Sequence, residues 1–200
     1  MALAPHSPAP SPVKSQPVFT ITPVQTSAHL DTIRSLFTRY ATALGIDLTF
    51  QGFQTELDSL PGAYSPPTGS LLLAQHSLSG EAIGCVGLRP LKPSSSPSHP
   101  SPTGSVAEMK RLYVSPDGRG LGLGRALAEA IVSAAEQLGY TEIRLDTLPD
   151  MHAARHLYTD MGFVQIDRYY DTPLLDTVFL ALKLPRPVVK SNGDISPKDE

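Results

Sequence analysis

The sequence predicts a domain of the α/β class in its α+β form: a mixed, mostly antiparallel sheet of six to seven strands with helices on both faces. Three observations carry this. Apolar stretches of strand length and amphipathic stretches of helix length follow one another in the order strand, two helices, three strands, helix, strand, helix, two strands. Residues 70–75 and 82–88 are separated by Ser77-Leu78-Ser79-Gly80-Glu81, a hairpin pattern that makes those two strands antiparallel. Residues 109–138 read as a strand, a glycine-rich turn and a helix, and the other elements can be placed relative to that unit.

In chain order, 1–17 carry five prolines among alanine and serine and predict a disordered leader. A first strand is expected at 18–24. Leu30, Ile33, Phe37, Tyr40 and Leu44 then mark one face of a helix that Gly45 ends. After Asp47 comes a shorter helix with Phe50, Phe53 and Leu57 on one side and Glu56 and Asp58 on the other, then a stiff proline-rich loop at 60–69. The hairpin follows, and after it the low-complexity stretch 93–104 predicts a mobile insertion, because it has too little apolar area to offset its ordering entropy. The strand 109–114 ends at Ser115-Pro116-Asp117-Gly118. Strand alternation extended back to Glu108 puts Glu108, Lys110, Leu112 and Val114 on one face.

Beyond the turn, Leu123, Ala126, Leu127, Ala130, Ile131, Ala134 and Leu138 form one apolar helical face. A strand at 142–148 follows. Asp150 is expected to cap a helix that runs through Met161 and ends at Gly162, and strands at 163–169 and 177–184 close the domain. A domain at 18–185 and a polar tail at 186–200 complete the reading.

Arg119, Gly120, Gly122 and Gly124 sit where a helix begins, with unpaired amides and the positive end of the helix dipole, a place suited to phosphate. A nucleotide-hydrolase loop would need Lys-Ser or Lys-Thr after its glycines, and a dinucleotide fingerprint would need glycine where Leu123, Arg125 or Leu127 stands. Neither is present. The pattern that fits is RxxGxG, from Arg119, Gly122 and Gly124, and here the chain resembles the GNAT superfamily of N-acetyltransferases. Ala154-x-x-Leu157-Tyr158-x-x-x-Gly162-Phe163 resembles that family's second motif.

The resemblance implies a GNAT fold and acetyl-coenzyme A as co-substrate. It implies that Gly120, Leu121, Gly122, Leu123, Gly124 and Arg125 hold the pyrophosphate together with Arg119. Pantetheine would lie along Leu112, Tyr113 and Val114, in a gap where this strand and the next splay apart. The family's frequent proton donor to the coenzyme A thiolate matches Tyr158, and its general-base glutamate matches Glu108, eleven residues before Arg119. The two-helix region and its following loop would wall the site of a small-molecule or peptide amine acceptor. Met151 stands where the second motif often has asparagine. The alternative is an idle domain of the same fold that binds coenzyme A or a metabolite as a regulatory or interaction module.

Composition excludes other classes. A net charge of −3 supplies no broad cationic surface for nucleic acid or an anionic membrane. Cys85 is the only cysteine, so no intramolecular disulfide forms, and its apolar strand predicts a core position. No apolar run reaches the ~18 residues of a membrane span, and no signal peptide is legible. The expectation is a cytoplasmic protein, monomer or homodimer. His152 and His156 are spaced as a zinc pair, but the glutamate of HExxH is replaced by Ala153, so a solvated face is expected and no metal.

Overall fold

The computed structural model describes residues 17–91 and 104–185, so all but the last residue of the expected leader and of the 93–104 insertion, and the whole tail, lie outside the described residues. The elements are β1 (Phe19–Pro23), α1 (Ser27–Leu44), a 3-10 turn (Thr49–Gln51), α2 (Phe53–Asp58), β2 (Ser70–His76), β3 (Ala82–Pro90), β4 (Val106–Val114), α3 (Leu123–Gln137), β5 (Glu142–Thr147), α4 (His152–Asp160), β6 (Val164–Ile166) and β7 (Val178–Lys183). The seven strands form one sheet in the order β1-β2-β3-β4-β5-β7-β6. Every neighbouring pair is antiparallel except β4 and β5, which are parallel.

Strand alternation divides the interior into two cores. Leu72 and Ala74 of β2 join Leu123, Leu127 and Ile131 of α3 on one face, while Leu71 and Leu73 join Ile33, Leu36 and Phe37 of α1 on the other. Helix α1 begins where the Thr26 side chain accepts from the His29 amide, and it ends at Gly45 in the left-handed region (φ 63°), as the sequence predicts. Cys85 is fully buried against the α1 core. Tyr64 packs against Gly87, where an added Cβ would stand 2.6 Å from the ring. Gly87→Val should therefore cost about 1–3 kcal/mol through overpacking, visible as a lower melting temperature. An unchanged melt would contradict this contact.

Three expectations need correction. Asp150 does not cap α4: the helix starts at His152, and its N-cap is Met151 without a side-chain bond. The strand expected at 163–169 is only Val164–Ile166, and the chain leaves the sheet after Ile166. The third correction bears on function. Gly87 pairs with Lys110 and Cys85 with Tyr113, so Val86 faces both Arg111 and Leu112 across a β-bulge, with Arg111 at φ 58°. The extra residue resets the alternation. Leu112 and Val114 pack with Ala107 and Met109 toward α3, and do not share a face with Glu108 and Lys110.

Candidate active site

Strands β4 and β5 pair only from Val106 to Glu108 with Glu142 to Arg144, although β4 runs on to Val114 and β5 to Thr147. Past the last pair they part, and a cleft opens between them. Its outer part, about 520 Å³, is lined by Leu112, Val114, Arg119, Gly124 and Leu157 among others. The inner part, about 110 Å³, is lined by polar residues including Gln51, Lys110, Arg111 and Asp146, and by Tyr158. Tyr40, Leu112, Met151 and Ala154 line both, so the two parts share one wall.

The outer end meets the glycine-rich turn. Gly120 and Gly122 are in the left-handed region (φ 76° and 73°), which an L side chain would strain. Among the described residues no backbone bond is donated by the amides of 120–125, and the first is Ala126 N–H to the Gly122 carbonyl at 3.2 Å. Free amides at the head of a helix are suited to an anion. Arg119 is exposed, borders the cleft and forms no ion pair among the described residues. Arg125 is turned away to Asp160 (3.1 Å) and Glu129 (3.8 Å) on the surface. A Cβ on Gly124 would stand 3.8 Å from Val114 and 4.0 Å from Leu157, so it would fit beside them only by occupying cleft space.

Tyr158 is 6% exposed, stacks 5.6 Å from Phe163 and reaches the inner cleft. Its hydroxyl donates no hydrogen bond among the described residues. Burial, with smaller contributions from Tyr40 and Asp146, pushes its phenol well above the usual range, so it holds its proton at neutral pH. Glu108 is placed differently. It is 3% exposed, and one carboxylate oxygen takes Arg89 Nε (2.8 Å) and Nη2 (2.7 Å). The other takes the Tyr169 hydroxyl (3.0 Å), with Lys110 Nζ at 3.9 Å. Glu108 does not line the cleft.

Sequence reasoning did not single out the ion pairs that build the inner wall. Arg111, the bulge residue, donates Nε and Nη2 to the two oxygens of Glu56 at 3.0 and 2.7 Å, and the Tyr64 hydroxyl adds a bond to Glu56 at 2.7 Å. Burial opposes ionisation of Glu56, but Arg111 and Tyr64 outweigh it and hold the carboxyl below its usual range. Lys110 Nζ donates to Asp146 at 2.8 Å. Burial works against the Lys110 charge, yet Glu108 and Asp146 together raise its pKa. Period-two alternation on β5 was the one available signal for Asp146, since Leu145 packs into the α3 core, only bordering the cleft, and Asp146 does not join that core. His152 and His156 gather no third ligand; His156 lies 3.6 Å from Asp160 on the surface, and among the described residues no cluster of three metal-ligating side chains occurs.

Comparison with known proteins joins these features. The Acetyltransferase (GNAT) family profile matches residues 31–163, which runs from within α1 through the bulged strand, the turn and α4. The chain belongs to the GNAT acetyltransferase family. Among its GNAT relatives, an uncharacterized N-acetyltransferase of Schizosaccharomyces pombe is 37% identical over 164 residues, covering 82% of this chain and 94% of the relative. The fold is that of a GNAT-family acetyltransferase from Staphylococcus aureus (TM-score 0.64, 18% identity, 83% of this chain and 99% of the other). It is also that of a chain in the NatC complex bound to Gag peptide and CoA (TM-score 0.60, 21% identity, 83% and 98%). Family membership makes acetyl-CoA the co-substrate. No described helix is long and apolar enough to cross a membrane.

Proposed function

We propose that the protein is an N-acetyltransferase that moves the acetyl group of acetyl-CoA directly to a primary amine, of a small molecule or a peptide, while both substrates are bound. The observation that carries this reading is one cleft with an anion cradle at its outer end and a protonated, unshared phenol inside. Acetyl-CoA supplies an activated thioester. The amides of 120–125 and the charge of Arg119 would receive its pyrophosphate, and the backbone of Leu112, Tyr113 and Val114 would take the pantetheine arm. Arg125, held by Asp160 and Glu129, contributes its amide and not its side chain.

In the reaction, the ammonium form of the acceptor loses one proton to water, the lone pair of the neutral amine attacks the thioester carbon, and the attacking nitrogen gives its second proton to water as the tetrahedral adduct collapses. The carbon–sulfur bond breaks as the amide forms, and the departing thiolate takes the proton of Tyr158. Solvent then reprotonates the phenolate. Glu108, with both oxygens engaged and no access to the cleft, braces β3 against β4 through Arg89 and does not take the acceptor's proton. Burial keeps the Tyr158 phenol protonated at neutral pH, so a proton is in place for the thiolate that develops in the same desolvated cleft.

Gly122→Asp tests the cradle. The position requires positive φ and would acquire a negative charge beside the pyrophosphate, so CoA binding by calorimetry should weaken by at least about tenfold. Binding as tight as the parent's would overturn the assignment. An idle binding module would bind CoA but release no thiol with any amine.

A further inference from the structure

The inner cleft holds polar groups that the transfer chemistry above does not use. Asp146 lines it with 18% of its side chain exposed. One of its oxygens receives Lys110 at 2.8 Å, and the Tyr170 hydroxyl acts on the same carboxyl as a donor, which leaves lone pairs to spare on an ionised carboxylate. The Tyr170 hydroxyl is buried on the far side of Asp146 from the cavity lining and finds no partner other than that carboxyl. Gln51, which lines the same cavity, has its side-chain oxygen buried without a donor. The cations nearby are already committed: Arg111 to Glu56, and Lys110 to Asp146 with Glu108 close by. The cavity therefore presents unmet acceptor oxygens to whatever enters it, and an orphaned buried acceptor is costly unless a donor arrives.

We propose that Asp146 and Gln51 receive the acceptor's nitrogen as an ammonium ion, before it loses its proton. A primary ammonium carries N–H donors on a compact cation, which matches one ionised carboxylate and one amide oxygen. Asp146 suits the part because Lys110 outweighs burial and keeps it charged. The acceptor is then a cationic primary amine whose reacting end is slim, since the inner cavity is only about 110 Å³. Lys110 becomes a positioning residue: it fixes Asp146 and keeps it ionised, and the carboxylate's remaining lone pairs are left to the substrate. This inference rests on the acetyltransferase reading, because the ammonium must sit beside the thioester.

The test needs no knowledge of the natural acceptor. S-(2-aminoethyl)-CoA places an ammonium two carbons beyond the sulfur, while S-propyl-CoA places a methyl group there. Calorimetry on the full chain should find the aminoethyl thioether bound about 10- to 100-fold more tightly than the propyl one, the worth of a charge-assisted bond in a desolvated site. In Asp146→Asn that preference should vanish while the affinity for S-propyl-CoA stays put, and Asp146→Glu should restore part of it. Gln51→Leu, which touches no ion pair, should reduce it by a smaller factor. Equal affinities in the parent would overturn the proposal, even if Asp146→Asn proved too unstable to measure. A preference that survives in Asp146→Asn would overturn it as well. Failure of both thioethers to bind would instead remove the acetyl-CoA reading, and this inference with it.

Discussion

Tyr158→Phe is expected to lower the turnover number by about 10²- to 10⁴-fold, the loss typical of removing a general acid, with little change in CoA affinity. The phenylalanine ring keeps the packing against Phe163 and the α3 core, so the melting temperature should hardly move. The two effects separate because the hydroxyl donates no protein hydrogen bond that its deletion would break, while the leaving thiolate would lose its proton source. A tyrosine serving only structure would show the reverse. Near-parent turnover in the variant would refute the acid role. Tyr40 would then be the group to examine, since it borders both parts of the cleft and burial also raises its pKa.

The elements and their order were legible because local periodicity reports which face is buried, and α1, α3 and the hairpin depend on nothing else. That the glycine-rich turn and Tyr158 would lie on one cleft was legible for a similar reason, since each lies within a short motif. What could not be read were features that exist only across the sheet. Arg111 and Glu56 are 55 residues apart, and Lys110 and Asp146 are 36 apart, so neither pair has a spacing to recognise. The bulge was hidden because its left-handed residue is an arginine and not a glycine. Without it, alternation through β4 assigns Leu112 and Val114 to the wrong face, and Glu108 then looks like a neighbour of the cleft. The Asp150 expectation failed because a good capping residue type says nothing about where the backbone first turns helical.

Arg111→Met should reveal what holds the bulge. Glu56 and Arg111 are both buried, their side chains only 9% and 2% exposed, so removing the cation leaves a carboxylate with the Tyr64 hydroxyl as its one hydrogen-bond partner among the described residues and Arg89 as a more distant charge. Breaking a buried pair from one side typically costs about 3–5 kcal/mol, which in a domain of this size lowers the melting temperature by roughly 6–20 °C. The pH dependence identifies the cause. In the parent, Glu56 titrates below its unfolded value, so its contribution is complete above the ordinary carboxylate range and is lost as pH falls through the lowered folded value. In the variant, burial acts without Arg111 and raises the folded value, so Glu56 destabilises increasingly as pH rises from about 4 toward neutrality. The gap between parent and variant should therefore be narrow in acid and widest near neutral pH. A gap that is flat with pH would mean that Arg111 matters for its packing on Phe53 and Tyr40 and not for its charge. Adding Glu56→Leu to Arg111→Met should recover much of the neutral-pH loss, because replacing both members of a buried pair with apolar groups is often nearly neutral. Stability would return in the double variant without activity if the bulge relaxes once Arg111 is released, because Leu112 and Val114 would then leave the wall of the cleft.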